Sequence, residues 1–220
     1  MMFKPIVSWD DDALWSTKFT RQELQFLYDE LDSMQHNDFK DHDKMNGYLV
    51  GAIQHEYRLS IDTQNKLETL LQPLLRQQVT ATHFDSCFSA LNDNVPVVMN
   101  DTWVNFQKKY EYNPVHHHTG IFSFVLWLKI PYTRESENNH PGARTDNGNF
   151  VIFLSDQWGK IQDYPVHLDD SYEGVCVMFP AETRHCVYPF YTSDEYRISV
   201  SGNYVLQVPK TNNKVTTWKV

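Results

Sequence analysis

Three consecutive histidines are the residues of this chain whose type and spacing point most directly to chemistry. His116, His117 and His118 lie in the interior of a 220-residue sequence. Side chains two residues apart on an extended backbone lie on the same side, so His116 and His118 can converge on one atom while His117 points away. Neutral imidazoles are common ligands of first-row transition metals. The pair therefore predicts a metal site, with a chance polar loop as the alternative.

A third ligand for that site is predicted further along the chain. His185 follows residues 174–180, an apolar segment of strand-like composition that ends in a proline. A strand that presents a histidine where it exits the sheet is well placed to deliver a metal ligand. The alternative is a histidine that is simply packed in the core. The predicted ligand set is His116, His118 and His185.

An alternating segment at 197–203 predicts an anion site. Its polar face would carry Arg197, Ser199, Ser201 and Asn203, and its apolar face Ile198 and Val200. A guanidinium group binds a carboxylate through two parallel hydrogen bonds, and the Ser199 hydroxyl would add another donor. An ordinary solvent-facing strand surface is the alternative.

The elements that must position these residues differ along the chain. The first third reads as helical, because Thr20 and Glu23 have the spacing of a capping box. The apolar residues that follow at helical spacing are Leu24, Leu27, Tyr28 and Leu31. A second helix is predicted from about Asp62, with a kink at Pro73 and a stripe of Leu67, Leu70, Leu71, Leu74 and Leu75.

After Asn92 the sequence is typical of β-structure. Short runs rich in β-branched and aromatic residues lie at 95–106, 121–130, 150–154, 174–179, 186–191 and 196–205. Their number and spacing predict a sandwich or barrel of antiparallel strands. Residues 133–149 contain almost no apolar side chains, and they predict either a substrate lid or a disordered loop. We expect one domain, with helical support over 1–92, a β core over 93–209 and a tail over 210–220.

Composition limits the classes of partner. A hydrophobic fraction of 41% and an aromatic fraction of 14% predict a folded core, and the net charge of −9 disfavours nucleic acid and anionic membranes. No apolar run approaches the roughly 20 residues that span a bilayer.

The N-terminal residues do not resemble a signal peptide. The three scattered cysteines, Cys87, Cys176 and Cys186, fit a reducing compartment. These features predict a cytoplasmic protein.

Several of these segments together resemble the Fe(II)/2-oxoglutarate-dependent dioxygenase superfamily, in particular the short prolyl-hydroxylase-like oxygenases of tailed bacteriophages. The resemblance lies in residues 103–105, 112–118, 123–128, 179–180 with His185, and 197–199. A further match at 51–57 resembles a signature of the helical region of these phage proteins. It covers most of the chain and implies a double-stranded β-helix, or jelly roll. This fold is mainly β with N-terminal helices, in agreement with the predicted strands.

The resemblance also implies residue roles. His116 and His185 match the two histidines that ligate iron, whereas His118 occupies a position that is usually Asp or Glu. If a carboxylate is required, Glu111, Asp169 and Asp170 are the alternatives. Arg197 matches the residue that holds the distal carboxylate of 2-oxoglutarate, and Ser199 its hydrogen-bonding partner. Asn105 is predicted as a further contact with this cosubstrate.

The implied activity is hydroxylation of a C–H bond with O2 and 2-oxoglutarate, releasing succinate and CO2. Fe(II) is the implied cofactor, with ascorbate as an additional reductant. The implied substrate is a peptide or a small molecule, a prolyl or peptidyl group by analogy, and a phage-encoded protein would act in the host cytoplasm. Two alternatives are a cupin-type metalloprotein and a non-catalytic jelly-roll protein of a virion.

Overall fold

The fold consists of two antiparallel sheets with two helices packed on the larger one. The computed structural model describes residues 4–5, 15–81, 96–142, 146–155 and 158–207. The helices are α1 (Gln25–His36), α2 (Ile61–Ala81) and α3 (Arg134–Asn138), with a 3-10 turn at Asp170–Tyr172. The strands are β1 (Lys4–Pro5), β2 (Trp15–Lys18), β3 (His55–Arg58), β4 (Val97–Gln107), β5 (Asn113–His116), β6 (Phe122–Lys129), β7 (Phe150–Ser155), β8 (Ile161–Val166), β9 (Val175–Pro180), β10 (Arg184–Val187) and β11 (Arg197–Leu206).

The strand order is that of a jelly roll. The larger sheet has seven strands in the order β1-β2-β9-β6-β11-β4-β3, and the smaller has four in the order β5-β10-β7-β8. All neighbouring strands are antiparallel. The predicted mainly β fold, a double-stranded β-helix supported by helices, is confirmed.

The larger sheet is buried on both faces, which explains its nearly continuous apolar strands. In β6, Leu126 and Leu128 face the core beneath the helices, whereas Val125 and Trp127 face the core between the two sheets. A strand covered on one face alternates between apolar and polar residues, and cover on the second face removes that alternation. The two cores therefore hold the larger sheet rigidly in place behind the site.

The helices pack as predicted, with one shift in a boundary. Leu27, Leu31 and Met34 of α1 and most of the leucine stripe of α2 are buried in the core beneath the sheet. The Thr20 amide donates to Glu23 Oε2 at 2.7 Å, and the Glu23 amide donates to Thr20 Oγ1 at 3.3 Å. The capping contacts thus form, but they close a turn over 20–24, and α1 begins only at Gln25. Helix α2 continues through Pro73.

Five strands were not predicted, and one predicted strand is displaced. The additional strands are β1, β2, β3, β5 and β8, which are two to six residues long and include prolines in β1, β5 and β8. The strand predicted at 186–191 lies instead at Arg184–Val187, since Pro189 has no N–H with which to continue the ladder. His185 does follow the predicted apolar strand, now β9, but it lies within the next strand, β10, rather than in the segment where β9 ends. β2 and β3 show that residues before 93 also join the sheet, so the expected helical character of 51–57 was wrong for the residues that form β3.

The segment 133–149 begins with a helix anchored through a buried carboxylate. Thr133 caps α3 through a capping box with Ser136. Glu137 is fully buried and accepts hydrogen bonds from the amides of Tyr191 and Thr192 and from the Thr192 hydroxyl. The described part of this segment is thus packed against the loop before β11, which disagrees with a wholly disordered loop.

The remaining predictions of organisation concern the termini and cysteines. In the described ranges, no helix is both long and apolar enough to cross a membrane. Cys176 and Cys186 are buried free thiols, and burial raises the pKa of Cys186 to about 11. Cys87 and the predicted tail over 210–220 lie outside the described residues.

Candidate active site

A cavity of about 290 Å³ lies between the two sheets and contains every predicted site residue. Its floor on the larger sheet is formed by Trp103, Asn105 and Gln107 of β4 and by Arg197, Ser199, Ser201 and Asn203 of β11. Ile198 and Val200 pack on the opposite face, in the core beneath the helices. The predicted alternation of β11 is therefore confirmed, and its polar face points into the cavity rather than to solvent.

The structure brings His116, His118 and His185 together on the side of the smaller sheet. One ring nitrogen of each can be chosen so that all three lie within 4.8 Å of one another. The ring centroids of His116 and His185 are 4.2 Å apart, and each lies 5.0 Å from that of His118. His117 points away, with its Nδ1 3.4 Å from Glu182 Oε2. The converging H-x-H geometry is as predicted.

Backbone pairing fixes two of these rings. His116 and His185 are directly opposite each other on β5 and β10. His116 Nδ1 lies 2.7 Å from the Pro114 carbonyl oxygen, and His185 Nδ1 lies 2.9 Å from that of Thr183. Because a carbonyl only accepts, each Nδ1 carries the proton and donates it, which leaves Nε2 with a free lone pair. This is the usual outer-shell arrangement of metal-binding histidines.

The histidines are held in their neutral form. Burial, reinforced by the neighbouring histidines, lowers the pKa of His118 to about 4 and that of His185 to about 3. Burial also lowers the pKa of His116. Phe179 and Phe150 pack against the His185 ring at 5.0 and 5.4 Å between centroids. At neutral pH the cluster thus presents uncharged imidazoles, the form that binds metals.

No carboxylate belongs to this cluster among the residues that the structure describes. Glu111 is occupied elsewhere, accepting hydrogen bonds from the amides of Gln54 and Lys108 at 3.1 and 2.7 Å. Asp169 caps the 3-10 turn that contains Asp170. The three alternative carboxylates therefore do not join the histidines. His118, rather than a carboxylate, is the third member of the cluster.

Arg197 is a buried cation without an acidic partner. It is 2% exposed and makes five hydrogen bonds, all to neutral oxygens. The acceptors are the Gln107 side chain (twice), the Tyr132 hydroxyl and the carbonyls of Gly148 and Tyr188. Within the described ranges no carboxylate lies at ion-pair distance from it. A buried charge is costly unless it is paired, so the cavity suits an anion.

Asn105 and Ser199 form the next pair along the same two strands. They are cross-strand partners, and Asn105 Nδ2 donates to Ser199 Oγ at 3.3 Å. The Ser199 oxygen thus accepts from Asn105, which leaves its own proton to donate into the cavity. The Asn105 Oδ1 atom is buried and has no hydrogen-bond partner. The two side chains present complementary polar groups beside Arg197.

Two further polar residues of the cavity and its surroundings were not assigned from the sequence. Tyr132 bonds Arg197 through its hydroxyl at 2.6 Å. Glu56 of β3 is 1% exposed, lines the cavity, and has one carboxylate oxygen without a partner. Burial and the nearby charge of Glu111 raise the pKa of Glu56 to about 7. Tyr132 belongs to no short motif. Glu56 lies within the match at 51–57, which gave it no role, and its place in the cavity could have been predicted only together with β3.

Comparison with known proteins agrees with this geometry. Residues 101–203 match the model of a family described as "Putative 2OG-Fe(II) oxygenase", and that segment holds all six predicted site residues. No protein with a curated description matches the sequence.

Solved structures of low sequence identity share the fold. A prolyl-4-hydroxylase from Pseudomonas putida is 14% identical with a TM-score of 0.56, over 89% of this chain and 94% of that one. A prolyl hydroxylase from Trichoplax adhaerens, solved with a hypoxia inducible factor peptide, is 10% identical with a TM-score of 0.52, over 89% and 84%. The epimerase SnoN from nogalamycin biosynthesis is 13% identical with a TM-score of 0.53, over 88% and 76%.

The family match and the shared fold agree with the chemistry of the cavity, where three neutral imidazoles and an uncompensated guanidinium suit Fe(II) and a dicarboxylate. Residues 101–203, just under half of the chain, thus match the Fe(II)/2-oxoglutarate-dependent oxygenases, a family of oxidoreductases that use Fe(II), 2-oxoglutarate and O2.

Proposed function

We propose that this protein hydroxylates a C–H bond of its substrate, with conversion of 2-oxoglutarate into succinate and CO2. The observation that carries the proposal is the presence, in one cavity, of three neutral imidazoles and a buried guanidinium without a counter-ion. Bound Fe(II) would supply the activation of O2. The protein contributes the ligands, the charge that holds the cosubstrate, and a cavity shielded by aromatic side chains.

His116, His118 and His185 would hold the metal. Their Nε2 atoms are the free lone pairs for His116 and His185, because each Nδ1 donates to a backbone carbonyl. Three protein ligands leave open positions for cosubstrate and oxygen, as in other non-haem iron oxygenases. The two backbone contacts also keep the rings from rotating, so the cluster is organised before the metal arrives.

Arg197 and Ser199 would hold the distal carboxylate of 2-oxoglutarate. A site with three neutral ligands keeps the full +2 charge of the metal, and Arg197 adds one positive charge nearby. A dicarboxylate offsets most of that charge, which an uncharged cosubstrate could not do. Because all the guanidinium hydrogen bonds go to neutral oxygens, the incoming carboxylate shares or replaces one of those acceptors. Asn105 would orient Ser199 through their hydrogen bond.

The two alternatives have less support. A cupin usually carries a glutamate a few residues after the H-x-H pair, where this chain has Phe122 and Ser123, and it has no need of a buried Arg197. A virion protein without chemistry would have no need of three neutral imidazoles and a buried guanidinium without a counter-ion in one cavity. A prolyl or peptidyl substrate, the use of ascorbate, a phage origin and action in the host cytoplasm stay predictions of the sequence. At 10–14% identity, the two prolyl hydroxylases support the fold and leave the substrate to the chemistry of this cavity.

Anaerobic calorimetry tests the ligand assignment. We expect one Fe(II) per chain, and binding of 2-oxoglutarate that depends on the metal. His185→Ala should lose metal binding, whereas His117→Ala should retain it, because His117 points away from the cluster. Equal metal binding by the wild type and His185→Ala would overturn the assignment.

A further inference from the structure

Glu56 lies in the same cavity as the proposed site but has no part in holding metal or 2-oxoglutarate. It is on β3, the edge strand of the larger sheet, directly opposite Asn105 of β4, which in turn is opposite Ser199 of β11. Cross-strand partners point to the same face of a sheet. Glu56, Asn105 and Ser199 therefore form one row of polar side chains along the floor of the cavity.

Two oxygens of this row are buried acceptors without donors. Glu56 Oε1 and Asn105 Oδ1 have no hydrogen-bond partner, and their residues are 1% and 6% exposed. The Cβ atoms of a cross-strand pair are about 5 Å apart, close enough for one small donor group to reach both side chains. Buried polar groups are nearly always satisfied, so an unpaired pair facing a cavity points to a ligand that donates.

The charge of the row favours a cationic donor over a neutral one. Glu56 Oε2 accepts a single hydrogen bond, from the Asn46 side-chain amide at 3.1 Å. Arg58, on the same strand, is already paired with Asp43 and Asp101. Burial and, to a smaller extent, the nearby negative charge of Glu111 raise the pKa of the Glu56 carboxyl to about 7. A cationic ligand with N–H groups would donate hydrogen bonds to both unpartnered oxygens and would neutralise the Glu56 carboxylate.

The walls beside Glu56 are apolar. Met45, Leu49, Val50 and Ile53 line the cavity on that side, and Tyr48, which also lines it, is 80% exposed at its mouth. An apolar wall with a carboxylate at its end fits an aliphatic chain that terminates in a charged nitrogen.

We propose that Glu56 and Asn105 bind a protonated aliphatic amine of the primary substrate. The proposal rests on the proposed function, since it names the substrate class of that site. Asn105 also donates to Ser199, so the ammonium group would lie about one strand spacing, roughly 5 Å, from the serine that would hold the cosubstrate.

Binding of a matched pair of small probes tests this inference without knowledge of the substrate. The probes are n-butylammonium and 1-butanol, which share an alkyl chain and differ in charge, measured at pH 8 by ligand-detected NMR on the wild-type chain. We expect the cation to bind at least tenfold more tightly than the alcohol. Equal affinity for the two probes in the wild type would overturn the proposal, and this comparison needs no variant.

The variant Glu56→Gln tests whether the cationic probe binds at Glu56. It removes the charge and keeps the shape, and we expect cation binding to weaken about tenfold while alcohol binding stays unchanged. Glu135→Gln, an exposed carboxylate of α3, is the matched control and should leave both affinities as in the wild type. Cation binding by Glu56→Gln at wild-type strength would assign the probe to another site and refute the inference.

The outcome is separable from that of the proposed function. Glu56→Gln should still bind Fe(II) and 2-oxoglutarate, because Glu56 contributes to neither. The probe measurements can be made on the apo-protein, so a failure of metal binding would refute the oxygenase site and leave the amine test intact. Loss of cation preference with intact cosubstrate binding is the result that supports both.

Discussion

His116 and His185 lie directly opposite each other on antiparallel strands, with ring centroids 4.2 Å apart. The pairing of β5 with β10 therefore sets the separation of two proposed ligands, and backbone carbonyls set their tautomers. His118, two residues beyond β5, is held by the hydrogen bond from its amide to the Ala181 carbonyl at 2.9 Å. The geometry of the proposed metal site is therefore a consequence of strand register rather than of a flexible loop.

Arg197→Ala should weaken the binding of 2-oxoglutarate by a few kcal/mol, about the range for breaking a buried charge-assisted pair. Ser199→Ala should have a smaller effect, about 1 kcal/mol, since it removes one neutral donor. Both are measured by calorimetric titration of the Fe(II)-loaded protein with 2-oxoglutarate.

Arg197 also donates hydrogen bonds to oxygens of the surrounding protein, so its replacement by alanine can destabilise the fold as well as weaken cosubstrate binding. A second variant separates the two effects. Arg197→Lys keeps the charge and removes the planar fork. We expect it to bind 2-oxoglutarate with an affinity between those of wild type and Arg197→Ala, while binding Fe(II) normally. Unchanged cosubstrate affinity in a folded Arg197→Ala would contradict the role of this residue.

Glu56 should make the wild-type protein less stable as the pH rises. Its pKa is about 7 in the folded protein against an ordinary value of 4.5, so the unfolded chain loses this proton first. The folded state is therefore penalised progressively between about pH 4.5 and 7, by up to about 3 kcal/mol above that range.

The comparison with Glu56→Gln isolates this effect from the titration of the histidines. Asn46, which donates to Glu56, and Glu111, which repels it, are present in both proteins. Urea unfolding at pH 5 and pH 8 should show the variant gaining stability relative to wild type as the pH rises. A difference in unfolding free energy between the two proteins that does not depend on pH would mean that folding does not raise the pKa of Glu56.

Glu137 should anchor the segment that contains α3. Its buried carboxylate accepts from the Tyr191 and Thr192 amides and from the Thr192 hydroxyl. Glu137→Ala leaves these donors unpaired, which should cost about 3 kcal/mol of unfolding free energy. Hydrogen exchange at the Tyr191 and Thr192 amides should accelerate, with Glu135→Ala as the exposed control. Retained protection in Glu137→Ala would show that other contacts hold the segment.

Most of the fold could be predicted because its central strands leave a strong signal. Strands such as β6 and β9, buried on both faces, appear as continuous apolar runs of the length of a strand. The strands that were missed, such as β3 and β5, are four residues long and are stabilised by pairing with distant strands rather than by their own composition. Their existence depends on partners that no local pattern reveals.

The residues of the proposed site also fall into two groups, those that sequence spacing predicts and those that only the tertiary structure brings to the site. His116 and His118 are neighbours in sequence, and Arg197 and Ser199 share a strand, so spacing alone brings each pair together. Glu56 reaches the site only because β3 pairs with β4, which places it opposite Asn105. Tyr132 meets Arg197 through a loop contact across 65 residues of chain. Contacts of this kind are set by tertiary packing, which single-sequence patterns do not carry.

The central claim is that the three histidines and Arg197 bind Fe(II) and 2-oxoglutarate in one cavity. Anaerobic titration of the apo-protein with Fe(II) and then 2-oxoglutarate, followed by visible absorption, tests it most directly. We predict a metal-to-ligand charge-transfer band that forms in wild type and His117→Ala and is absent in His185→Ala. Binding of iron without the band in wild type, or a band that survives in His185→Ala, would contradict the account.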